Sequence, residues 1–65
     1  MYMLFLSQDT HKLYAIREQA GLSNVKSNDL ILGMYDSPSE VPLLLNNFLA
    51  ENPEVPINDT QVHHK

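Results

Sequence analysis

Asp9 and His11, with Thr10 between them, are the first residues in this chain equipped to move a proton. Asp36 stands just before Ser37, Pro38, Ser39 and Glu40, and His63 and His64 put two imidazoles side by side near the C-terminal end. A histidine beside a carboxylate can serve as a general base, and imidazoles can ligate zinc or nickel. The spacing argues against both. No nucleophile–histidine–acid order, glycine-rich phosphate loop or spaced metal motif accompanies these residues. An ordered metal site wants about four donors, adjacent histidines offer two, and the chain has no cysteine to add. Asp9 reads as a turn residue and Asp36 as a favourable charge at a helix start. The expectation is a protein that is not an enzyme and holds no metal or cofactor.

Charge narrows the partners. The formal charge is −4, and the basic residues Lys12, Arg17, Lys26 and Lys65 are scattered. Tyr2, Tyr14 and Tyr35 could stack on bases, but that mode needs surrounding positive charge, so nucleic acid is not expected. The oily start "MYMLFLS" has no basic flank and is too short for a membrane span. No membrane partner is expected, and a cytoplasmic location is. "NDT" at Asn58–Thr60 then matches a glycosylation acceptor by chance.

The elements that must position any site follow from periodicity. Tyr2 to Leu6 reads as a strand, apolar on both faces, and "SQDTH" as a turn. "KLYAIREQAG" is ambiguous. A helix would take Asp9 or Thr10 as N-cap and Gly21 as its C′ residue; a strand would alternate Leu13, Ala15 and Arg17 with Tyr14 and Ile16. "LSNVKSND" reads as a loop, and "LILGMY" as a second strand apolar on both faces, with Gly33 marking a bulge or a close approach. Ser37 with Glu40 forms a capping-box pattern, and Pro38 suits the first helical position. Val41, Leu44, Leu45, Phe48 and Leu49 then share one helical face. Pro42 objects, which requires either a 3₁₀-like first turn or a cap moved to Ser39; the moved cap, or a mixture, is the expectation. Pro53 stops the helix near Asn52.

"KLYAIRE", a polar loop, then "LILGMYDSPSE" resembles small uncharacterised proteins of bacteria and their phages, in which a hairpin ending "LG-x-Y-x-S-x-x-E" leads into a helix. The resemblance spans Lys12 to Leu45 and rests on Tyr14, Ile16, Leu32, Gly33, Tyr35, Ser37 and Glu40. This chain departs from it in Pro42 and in the added strand "MLFL". The resemblance implies a strand over Lys12–Glu18 paired antiparallel with Asp29–Tyr35. It implies no activity.

With that implication the expected fold is α+β: a three-stranded antiparallel sheet and one C-terminal amphipathic helix (ββ-β-α), the alternative being β-α-β-α. One domain spans 1–52, and 53–65 forms a proline-containing arm and a disordered polar tail. One helix covers one sheet face, and the other face is too apolar for a monomer. A chain this short also hides only about 60% of its unfolded surface. Dimerisation is therefore expected to complete the fold, the alternatives being a foreign partner on the bare face or an arm that folds back over it. The partner interface would be Met3, Phe5, Tyr14, Ile16, Ile31 and Tyr35. The function expected is a non-enzymatic protein–protein interaction module (an inhibitor, adaptor or assembly factor), and a phage or mobile-element modulator of a host protein is the specific form. The alternative is a dimeric binder of a nucleotide or other small signal, with Tyr14, Arg17, Lys26 and Tyr35 between subunits.

Overall fold

A computed structural model describes residues 1–64, with the side chains of Leu22 and Ser23 outside the description. The elements run β1 (Tyr2–Leu6), β2 (Leu13–Arg17), α1 (Glu18–Asn24), β3 (Leu30–Tyr35), a 3₁₀ turn (Pro38–Glu40), α2 (Val41–Glu51) and β4 (Val62–His64). The class is α+β, with a four-stranded mixed sheet in the order β3-β1-β2-β4. β1 pairs antiparallel with both β2 and β3, and β4 lies parallel to β2.

This corrects three expectations. The resemblance implied that β2 and β3 pair directly; β1, the most apolar strand, lies between them and is hidden on both faces. Strand and helix each claim part of the ambiguous stretch. Leu13, Ala15 and Ile16 are buried in β2, and the helix begins only at Glu18, so neither Asp9 nor Thr10 caps it. Gly21 sits inside that helix instead of ending it, and its missing Cβ, which would meet the Met3 side chain at 2.9 Å, leaves room for Met3. The third correction concerns the polar tail: Val62–His64 forms β4, and Val62 packs on the core.

Each sheet face has its own cover. On one face, Leu4, Leu6, Leu13, Ala15 and Tyr35 are buried beneath Val41, Leu44, Leu45 and Phe48 of α2, with Val55 and Ile57 of the arm beside them. On the other face, Met3, Phe5 and Ile16 are buried with Ala20 of α1, Val25 and Tyr14 against them. Cover for this face thus comes in part from within the chain, from Ala20 of α1, which follows β2 without a loop, and from Val25 just beyond it.

The α2 start resolves its proline conflict through the 3₁₀ turn. Val41 N–H, three residues on, bonds the Pro38 carbonyl, and Pro42 falls early in α2, where no N–H is needed. The Glu40 carboxylate accepts the N–H groups of Ser37 (2.8 Å) and Asp36 (3.0 Å), so the box stays at Ser37 and does not move to Ser39. The arm is held at the β1–β2 turn, where Asn58 donates from its backbone to the His11 carbonyl (2.8 Å) and from its amide to that of Thr10 (2.7 Å).

Candidate docking site

β3 is an edge strand, paired on one side by β1 and on the other by nothing among the described residues. Its sequence explains its shape. Leu4 pairs with Gly33 and Phe5 with Ile31, which leaves Leu32 as an extra residue in a β-bulge. Gly33 takes φ 154°, a value that side chains disfavour, and a Cβ there would meet Leu44 of α2 at 2.9 Å. The bulge shifts the alternation. Met34 pairs with Met3 and Ile31 with Phe5, so Ile31 and Met34 share the α1-side face although three positions apart. They are 54% and 44% exposed, among the few large apolar side chains left in water. Beside Ile31 lies a hollow of about 250 Å³, lined by Met3, Gly21, Val25 and Ile31 and by the polar Lys26, Ser27 and Asp29.

The strand's ends are acidic but locally neutralised. The Asp29 carboxylate accepts N–H groups from Gln8 (3.2 Å) and Lys26 (3.1 Å). Asp36 lies 3.7 Å from the Met1 ammonium. No charged residue and no proline interrupts Leu30–Tyr35. The opposite edge differs, for β4 has three residues, two of them histidine.

Of the six residues expected to meet a partner, Met3, Phe5 and Ile16 are buried within this chain's own second cluster. Tyr35 is buried on the other face, under α2. Tyr14 is half-buried, its ring stacked on Phe5 at 5.7 Å. Ile31 alone among them is exposed. Met34, absent from that expectation, joins Ile31 because of the bulge; the signal was Gly33, which marked the bulge without showing which side chains it would turn.

The residues suggested for a small-ligand pocket are not gathered in one chain. Arg17 pairs with Tyr2 at one end of the sheet, whereas Lys26 is ion-paired with Asp9 beyond the other. That contact holds the Asp9 carboxyl below its usual range, chiefly through the hydrogen bond from Lys26, and raises Lys26 in return. The histidines pack. His11 takes a left-handed φ of 57° in the β1–β2 turn, His63 lies against Tyr14 at 5.7 Å, and His64 lies edge-on to Tyr2 at 6.2 Å. Among the described residues no group of three or more His, Asp or Glu is placed to hold a metal ion, and no helix is long and apolar enough to cross a membrane.

No family model, no curated protein and no solved structure matches this chain.

Proposed function

We propose that this chain is a small non-enzymatic protein–protein interaction module that lends the free edge of β3 to an extended strand of another protein. Strand addition draws affinity from backbone hydrogen bonds and specificity from the pockets beside the edge. The observation that carries the reading is the unguarded state of β3. Monomeric sheet proteins blunt an edge with charge, proline or a very short strand. β4 is short; β3 has six residues, no charge and two exposed apolar side chains, one of which, Ile31, borders a hollow. Its bulge is the one edge device, and it gathers Ile31 and Met34 on a single face. An inhibitor, adaptor or assembly factor works in this way, and the resemblance to phage and bacterial proteins makes a modulator of a host protein the specific form of the proposal.

The test uses paired baits in a lysate of the native host. Ile31→Lys and Met34→Lys should each lose prey that the parent retains, while Leu43→Lys, at an exposed site on α2, should keep them. Equal prey on all baits would remove β3 from the reading.

A further inference from the structure

Toward the edge away from β3 the sheet leaves a gap. β4 ends at His64, opposite Ala15, so Ile16 and Arg17 continue β2 with no described strand on that side. A hollow of about 360 Å³ opens there, lined by Tyr2, Ile16, Arg17, Ala20, Asn24 and His64. Its size falls in the range of small-ligand sites, roughly 300–1,000 Å³. We propose that this hollow binds a small organic anion: a carboxylate or phosphate monoester carried on an aromatic body.

Charge selects the ligand. Eight carboxylates and four basic side chains share this chain, so a cation has partners in excess. Lys26 takes Asp9, but Arg17 makes no ion pair with any described carboxylate, its neighbour Glu18 included. The lining of this hollow holds no carboxylate, whereas the hollow beside β3 includes Asp29 and the smaller one across Arg17 includes Glu18. An anion therefore meets a guanidinium and no like charge. The guanidinium fork matches carboxylate and phosphate geometry, and the His64 ring adds a further polar group. The net charge of −4 disfavours a polyanion, so one anionic head for one arginine is the better fit. The rest of the lining suits an aromatic body. Ile16 is 4% exposed and Ala20 is small. The Tyr2 ring is held in place, stacked on Tyr35 at 5.7 Å and met edge-on by His64 at 6.2 Å.

The test titrates the full chain with benzoate and with phenyl phosphate, which share a ring and differ in the head, and follows backbone amide shifts by NMR. Saturable shifts should centre on Tyr2, Ile16, Arg17, Ala20 and His64, and the tighter of the two probes identifies the head group. Benzamide, with the same ring and no charge, should bind about tenfold more weakly or less, and so should both anions to Arg17→Gln, because a charge-assisted pair is lost. Arg17 is exposed, so this variant should keep the parent's circular dichroism. Lys12→Gln removes a cation at the far end of β2 and should bind both anions as the parent does. No saturable shift with either anion, or shifts scattered over the whole chain, would overturn the site. Benzamide binding as tightly as benzoate, or Lys12→Gln weakening the anions as much as Arg17→Gln, would overturn recognition of the charge by Arg17. The hollow lies apart from β3, so these outcomes leave the bait comparison of Ile31 and Met34 to be judged separately.

Discussion

Gly33 carries two constraints at once, and they can be separated. Its φ of 154° strains any other residue, and its missing Cβ leaves room for Leu44. The Leu44 methyl is the far end of a flexible side chain and can yield, so the backbone is the larger obstacle. Gly33→Ala should cost about 1–3 kcal/mol, read from denaturant melts, and adding Leu44→Ala should restore none of it. Recovery in the double variant would assign the cost to crowding instead. Tyr35 links stability to alkaline pH. Burial, with Tyr2 adding to it, raises its phenol above the usual value, so the folded chain prefers the neutral form. The resulting stability is complete below about pH 10 and is lost as pH rises through the raised folded value. Melting temperatures of Tyr35→Phe should therefore fall less steeply than the parent's above about pH 10. Lys26 acts in the same window and direction, but its ion pair with Asp9 is at the exposed surface and its share is small.

At the scale of elements, the start of α2 shows how a short motif and a backbone limit are reconciled. The capping pattern of Ser37 and Glu40 could be read directly from the sequence, and so could the conflict with Pro42. The sequence favoured moving the cap to Ser39, or a mixture, over the 3₁₀ turn that forms, because local propensity carries no sign of which of the two relieves Pro42. Ser37→Ala should cost roughly 1 kcal/mol and Ser39→Ala clearly less, measured by thermal melts. The reverse order would show that the helix starts two residues later. The stretch after Lys12 was less legible, for a physical reason: strand alternation over Leu13–Arg17 runs straight into a helix with no turn residue between them. A periodicity window spanning both reports neither. Missing α1 had a large consequence. Met3, Phe5 and Ile16 then looked bare, when Tyr14 of β2, Ala20 of α1 and Val25 beyond it pack against them. What could be read was the excess of apolar strand surface. What could not was that most of it is hidden internally and that, among the described strand residues, Ile31 and Met34 are the large apolar ones left exposed.

Over the whole molecule, two clusters on opposite sheet faces share the strands β1 and β2, so neither cover can be removed without exposing the strands that support the other. The arm belongs to this arrangement. Val55, Ile57 and Val62 pack on the α2-side cluster, and Asn58 fastens the arm to the β1–β2 turn. Removing residues 53–65 should therefore abolish a cooperative melt, as judged by calorimetry, because a domain of this size has a stability of only about 5 kcal/mol to lose. A truncated chain that melts like the parent would reduce the arm to decoration.

The contact between Tyr2 and His64 brings the two extremities of the described chain to the same rim of the sheet. A peptide bridge of a few residues could join them, leaving the polypeptide free to be opened in the loop at 25–29. Such a rewired ring would keep each strand in place while its new termini emerged beside the hollow next to β3, where a reporter group would sense an arriving strand directly.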